Sequence, residues 1–274
     1  MREFAGKVAV VTGGASGIGR GIVLACARAG MHTVVGDVDP VGAQTVAEEA
    51  ELVGPRSLAV ATDVTDPAAV EALADKTWAE FGRCHLVCNN AGVAVARPLA
   101  ETSLEDWSWT LQVNLMGVVH GVSSFVPRLK IQGEPAHVVN TASMSGHLAT
   151  PLLGAYTASK YAIVGLSECL KLELDDHPVG VSVLCPGPVA TRIGDAGRNR
   201  PQALGQAAPI PIELRDALAG GMDAERAGRI VLRGIAEDEF WIFSHPELQP
   251  AVDARSGGIA AAFDRWREWM AGEG

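Results

Sequence analysis

The sequence predicts an α/β protein, a doubly wound parallel sheet with helices on both faces, built as a single domain over residues 1–274. Three observations predict it. Strand-like and helix-like segments alternate six times. The strand-like segments are almost continuously apolar, as strands buried on both faces must be. No linker, internal repeat or low-complexity tract divides the chain, and its length allows one large domain.

The elements follow in order. "KVAVVTGG" (7–14) is a short β-branched run that ends in glycines, a buried strand and then a tight turn. "IGRGIVLACARAG" (18–30) has helical spacing and stops at Gly30. "HTVVGDVD" (32–39) is a second strand, 40–54 a helix, and "RSLAVATDV" (56–64) a third strand. The helix over 66–82 takes Asp66 as its N-cap. "CHLVCNNAG" (84–92) is a fourth strand running into a polar turn, followed by one long helix over 103–130. "AHVVNTAS" (136–143), a long helix over 155–176 and "GVSVLCPG" (180–187) complete the alternation.

Two regions stand outside this rhythm. Residues 188–222 are rich in Gly, Ala and Pro without periodicity, and read as a substrate loop that closes as a lid. Residues 223–274 read as a helix, a short strand "FWIFSHP" (240–246) and a C-terminal extension (247–274). That extension ends in an amphipathic helix, "AFDRWREWM" (262–270), whose tryptophans are expected in core packing.

Composition excludes some functions. A net charge of −10 argues against nucleic acid and against anionic membranes, both of which select basic surfaces. Five scattered cysteines fit free, mostly buried thiols in a reducing compartment. No signal-peptide core and no run of about 18 apolar residues is present, so a cytoplasmic protein that does not span a membrane is expected.

"TGGASGIG" (12–19) follows the first strand and opens the first helix. Gly13, Gly17 and Gly19, with Ser16 and Ile18 between them, let backbone approach a ligand closely. The helix N-terminus beyond offers N–H groups and positive dipole to a pyrophosphate. A glycine turn on its own also occurs as mere packing; its place between strand and helix is what points to a nucleotide. Asp37 ends the second strand, where a dinucleotide fold sets a carboxylate against the ribose hydroxyls. It also reads as a turn aspartate ahead of Asp39-Pro40. A carboxylate there repels a 2′-phosphate. The nearby positions that would offset it are Ser16 and Val38, and Arg20 lies inside the helix, so NAD is expected over NADP.

The chain has two tyrosines, Tyr156 and Tyr161, and Lys160 lies four residues after the first. On a helix this spacing puts both side chains on one face. Such a pair is commonly a surface contact. It is also what proton transfer by a phenol requires, because an unperturbed tyrosine titrates near ~10 and needs an adjacent cation to act as a base at neutral pH.

Over roughly residues 5–192 the sequence resembles the short-chain dehydrogenases/reductases, single-domain Rossmann-type enzymes. The resemblance is carried, in order, by "TGGASGIG", by Asp63-Val64, by "NNAG" (89–92, with Asn90, Ala91 and Gly92), by Asn114 in "LQVNLMG", by Ser143, Tyr156 and Lys160, and by "CPGPVAT" (185–191, with Pro186, Gly187, Val189 and Thr191). It implies hydride transfer between a secondary alcohol or ketone and NAD. It assigns Tyr156 as general acid/base, Ser143 to the substrate oxygen, Lys160 to the phenolate and the cofactor ribose, and Asn114 to a local helix break that holds a water. Ser143 also reads as a strand-end cap. The glycine turn, Asp37, Asp63, Val64, Asn90–Gly92, Tyr156, Lys160, Pro186, Gly187, Val189 and Thr191 are the implied cofactor contacts; no metal is implied. The long helices imply a homodimer.

The substrate is not readable. By the same resemblance Ala94, Val95, Met144, Ser145 and His147 face the pocket. His147 also reads as a structural group, and Arg192, Arg198 and Arg200 read either as anion contacts or as solvated loop charges. The tail resembles that of bacterial family members that oxidise bulky aromatic alcohols, which implies a substrate of that kind. An NADP-dependent biosynthetic ketoreductase and a non-enzymatic nucleotide sensor on the same fold are the competing readings.

Overall fold

The computed structural model describes residues 1–205 and 210–272. Its contacts group the chain into two units, Met1–Ser244 and His245–Gly274. The expectations for 188–222 and 247–274 fall partly on residues 206–209 and 273–274, which lie outside the described residues.

The first unit is a seven-stranded sheet in the order β3-β2-β1-β4-β5-β6-β7. All six pairings are parallel. The strands are β1 (Val8–Thr12), β2 (His32–Asp37), β3 (Ser57–Ala61), β4 (Leu86–Asn89), β5 (Ala136–Thr141), β6 (Val179–Cys185) and β7 (Trp241–Phe243). Parallel strands require crossovers, and helices supply them on both faces. The period of two divides the core. Ala9 and Val11 of β1 pack on one face with Ile22, Val35, Val231 and Ile235. Val8 and Val10 pack on the other with Val34, Leu73, Phe125 and Leu129.

The helices are α1 (Gly17–Arg28), α2 (Pro40–Glu51), α3 (Pro67–Phe81), α4 (Leu104–Leu111), α5 (Gly117–Gln132), α6 (Gly154–Glu173), α7 (Ile212–Ala219) and α8 (Ala224–Glu237). Asp66 caps α3 as read, accepting the Ala68 N–H at 2.9 Å, and Asp39 caps α2 through Gly42 at 3.0 Å. α1 and α8 cross with backbone touching backbone. A Cβ on Gly21 would overlap the Ala224 carbonyl, and one on Gly228 would overlap that of Gly21. Glu225 ties the crossing to Arg28 at 2.9 Å and to Arg20 at 3.4 Å.

Four expectations need correction. The helix read over 103–130 is three pieces, with a π-turn (Gln112–Met116) between α4 and α5. The last strand is Trp241–Phe243 rather than 240–246, because Pro246 has no N–H to pair and starts a 3₁₀ turn. Residues 188–222 are not a bare loop. They carry a 3₁₀ helix (Arg192–Asn199), a second 3₁₀ turn (Gln202–Leu204) and α7. In the second unit the final helix, α9, runs from Gln249 to Gly272. Its Trp266 and Trp269 meet edge to face at 5.5 Å yet stay 59% and 53% exposed, so they are not core residues.

Candidate active site

The glycine turn leaves β1 at Thr12 and needs its glycines sterically. Gly13 has φ 65° and Gly17 φ 54°. A Cβ on Gly13 would stand 2.7 Å from Ala91 Cα, and one on Gly17 would stand 3.0 Å from Thr191 Cγ2. One on Gly19 would overlap the Gly13 carbonyl. The Ser16 side chain does not cap α1, so the first N–H groups of that helix face a cleft lined by Gly13, Ser16, Gly17 and Ile18. This is a cradle that any side chain would fill. It fits a pyrophosphate.

Thr12, which the sequence reading passed over, ties this turn to the "NNAG" turn. Its Oγ1 accepts the Asn90 N–H at 3.0 Å, and Asn90 Nδ2 donates back to the Thr12 carbonyl at 3.1 Å. Asp37 ends β2 beside them, 8% exposed, accepting the Ala15 N–H at 2.9 Å and the Asp39 N–H at 3.0 Å. Burial raises its carboxyl above the usual range; the two N–H groups and the Arg198 guanidinium pull it back. Asp63 holds its own turn by accepting from Thr65 N–H and Oγ1–H, at 2.9 and 2.8 Å. Val64 is buried, and its carbonyl lies 2.8 Å from His120 Nδ1 on α5.

The β5 and β6 ends bring the second half. Lys160 on α6 is 3% exposed; its Nζ donates to the Thr141 carbonyl at 2.8 Å and sits 5.4 Å from the Tyr156 ring centroid. Burial pulls this ammonium down to about 7. Burial also raises the Tyr156 phenol, and a hydrogen bond with Ser143 offsets part of that rise. The net rise runs opposite to the lowering expected from Lys160, and burial is its cause. Ser143 caps as one of its two readings expects. Its Oγ accepts the Ser145 N–H at 3.0 Å, capping a 3₁₀ turn, and meets Tyr156.

Asn114 is fully buried inside the π-turn. Its Oδ1 accepts the Val93 N–H at 2.8 Å, and its Nδ2 donates to the Val93 carbonyl and to Ser159 Oγ, both at 3.0 Å. Ser159 Oγ in turn donates to the Tyr156 carbonyl at 2.6 Å. Asn114 thus fixes the chain just past the "NNAG" turn against the helix that carries Tyr156.

One cleft unites Gly13, Ser16, Gly17, Ile18, Asp37, Asp63, Val64, Asn90, Ala91, Gly92, Tyr156, Lys160, Pro186 and Thr191. Gly19, Asn114, Ser143, Gly187 and Val189 support it without lining it, and Tyr161 is outside the lining. Tyr156 packs against an aliphatic cluster of Ala96, Leu153 and Ile210, with Leu214 and Leu218 of α7, while the apolar Val93, Trp109 and Val113 line the cleft itself. No group of three or more His, Cys, Asp or Glu side chains among the described residues can hold a metal ion.

Of the flanking groups, His147 follows its structural reading and Arg200 follows neither of its two. His147 lies against Trp241 at 5.3 Å and Phe243 at 5.6 Å, with its Nε2 3.3 Å from Cys185 Sγ, as a packing residue. Arg200 is no solvated charge and no anion contact. Its guanidinium pairs with Asp106 at 2.7 Å, both nearly fully buried, and lies 5.1 Å over the Trp109 ring. Arg192 pairs with Asp195 at 3.6 Å.

Comparison with known proteins agrees with this layout. The family model described as short chain dehydrogenase matches residues 7–201. Over 266 residues the chain is 36% identical to the 1-deoxy-11-beta-hydroxypentalenate dehydrogenase of Streptomyces avermitilis, covering 96% of this chain and 93% of that one. It is 32% identical over 259 residues to the C alpha-dehydrogenase of Sphingobium sp., covering 92% and 85%. Among solved structures, a short-chain dehydrogenase/reductase from Burkholderia phymatum in complex with NAD superimposes with a TM-score of 0.92 at 41% identity, covering 96% of this chain and 97% of that one. The fold, the ordered motifs and these relatives lead to one conclusion: the chain belongs to the short-chain dehydrogenase family and is one of its oxidoreductases, acting on a small molecule.

Proposed function

We propose that this protein interconverts a secondary alcohol and its ketone with NAD, using Tyr156 as general acid/base. The observation that carries the reading is convergence: Tyr156 and Lys160 line the same cleft into which the glycine turn and Asp37 open, and Ser143 bonds Tyr156 from beneath. Gly13, Ser16, Gly17 and Ile18 would hold the pyrophosphate, Asp37 the adenosine ribose, and Lys160 the nicotinamide ribose. When bound, the nicotinamide accepts or returns the hydride.

The chain's own part is the proton. Tyr156 Oη takes it from the alcohol oxygen in oxidation and gives it to the carbonyl oxygen in reduction. Ser143 Oγ holds that oxygen by a hydrogen bond. Lys160, pulled to about 7, is matched to exchanging a proton at neutral pH. Burial of the phenol keeps Tyr156 protonated in the free protein, loaded as an acid.

The apolar lining residues Val93, Trp109 and Val113, the aliphatic cluster against Tyr156 and the burial of Arg200 with Asp106 favour an uncharged, bulky or aromatic substrate. A homodimer through α4–α6 is supported by Leu104, Ile131 and Leu172, all exposed on those helices. The NADP ketoreductase reading has one observation in its favour, a cation at the Asp37 end of the cleft. A panel of secondary alcohols and ketones, assayed with NAD and NADP by absorbance of the reduced nicotinamide, tests the reading. Tight cofactor binding with no turnover across the panel would point to a sensor instead.

A further inference from the structure

The 3₁₀ helix Arg192–Asn199 crosses the mouth of the cofactor cleft and is firmly seated. Thr191, its cap, lies against the Gly17 position, where a Cβ would come within 3.0 Å of Thr191 Cγ2. Ala196 is buried with Val93, Val95 and Trp109. The buried Arg200–Asp106 pair follows directly. Arg198 is therefore held in place. Its Nη1 donates to the carbonyls of Arg192 at 2.8 Å and Asp195 at 2.9 Å. That leaves Nε and Nη2 of the guanidinium fork for a ligand.

Arg198 lines the same cleft as Asp37, Val38 and Asp39, and its charge acts on both carboxylates. Proximity in sequence puts no basic residue at this end of the cleft; the crossing of the 3₁₀ helix does. A guanidinium matches a phosphate dianion in shape and charge. Resting on the cofactor reading above, we propose that Arg198 is a specificity residue: it reaches across the cleft to a 2′-phosphate on the adenosine ribose and offsets the repulsion from Asp37. The chain then takes NADP as well as NAD, with a narrower preference than Asp37 alone would set.

The test is equilibrium binding of NAD and NADP, by calorimetry or quenching of tryptophan fluorescence, to the wild type and to Arg198→Gln and Arg198→Ala. Gln keeps a donor for the two carbonyls and removes the charge. Loss of a charge-assisted phosphate contact should weaken NADP by about tenfold and leave NAD within about twofold. In an Asp37→Asn background the NADP loss should persist, since the phosphate is then the partner. Equal weakening of both cofactors, an unmoved ratio, or a loss that vanishes with Asp37→Asn overturns the inference. So does a wild type that binds NAD but no measurable NADP. A wild type that binds neither cofactor overturns the cofactor reading as well.

Discussion

The two ends of the sheet bury similar chemistry and use it differently. At the N-terminal ends of the strands, His85 Nδ1 accepts the Val8 N–H at 3.1 Å while its Nε2 lies 3.0 Å from Glu134. His137 Nε2 lies 2.7 Å from Ser182 Oγ, whose hydroxyl donates to the Glu239 carbonyl at 2.6 Å; the imidazole is therefore the donor to Ser182. At the C-terminal ends, Asp37 and Lys160 are also buried, but their partners are backbone groups of turns and of a strand end that border an open cleft. Burial of a polar group thus does not mark a site. What marks it is burial where helix N-termini converge and where a ligand can replace the present partner.

The sharpest break of that comparison is Tyr156→Phe. The ring keeps its packing, and turnover should fall by ~10²–10⁴-fold while cofactor binding stays within a few-fold. Tyr161→Phe, outside the cleft, should leave turnover nearly unchanged; the reverse pattern would move the chemistry off this face of α6. Steady-state kinetics and cofactor titration of both variants decide.

Lys160→Met should abolish efficient turnover and weaken cofactor binding, yet stabilise the fold near neutral pH. The sign follows from burial. The folded pKa, about 7, lies below the 10.5 of an unperturbed lysine, so charging the unfolded chain destabilises the fold as pH drops from 10.5 to 7. Removing the group should raise stability by up to a few kcal/mol at pH 7. Urea denaturation at pH 7 and pH 10 measures it. A gain that does not shrink at the higher pH would contradict the account.

The N-terminal end should answer to pH without touching chemistry. His137 is held down to about 4 by burial, against 6.5 for an unperturbed histidine. Its contribution is complete above pH 6.5 and fades as pH falls toward 4, a loss of at most about 3 kcal/mol. In His137→Leu this acid-side slope should flatten while kcat/KM at pH 7 stays within about twofold of wild type, the modest effect expected of a surface or structural change away from the site. A large kinetic effect would erase the distinction between the two ends.

The smallest effect belongs to Asp37→Asn. It should leave the fold intact and shift the NAD-over-NADP ratio toward NADP by about tenfold, near 1.4 kcal/mol. Paired titrations of the two cofactors read this directly.

Legibility in the sequence followed distance along the chain. The glycine turn, the Asp66 cap and the alternation of Val8–Val11 between two cores are set by residues within a few positions of each other, and all were readable. The Tyr156–Lys160 spacing was readable as one turn of helix; that burial would depress the lysine and raise the phenol was not, because burial is a sum over the whole fold. Arg200 meeting Asp106, Arg198 sharing a cleft with Asp37 and Thr12 clasping Asn90 each involve segments far apart in sequence. Only the crossovers bring them together. The apolar face of α9 was legible as a pattern, but a pattern does not say whether anything covers it.

The crossing of α1 and α8 at Gly21 and Gly228 bears on how this protein can be recombined. Swapping C-terminal segments between relatives is an obvious route to new substrate preference, and the stretch just after the 3₁₀ helices offers a junction by position. Yet α8 is the seat of the helix that opens at the glycine turn, and the seat has no room for a methyl group on either side. A donor segment with alanine at the Gly228 position would push α1 out of line and loosen the cradle at its far end. Chimeras should therefore be joined after Glu237, or should inherit both glycines together with the Arg20–Glu225–Arg28 tie, so that α1 and α8 travel as one part.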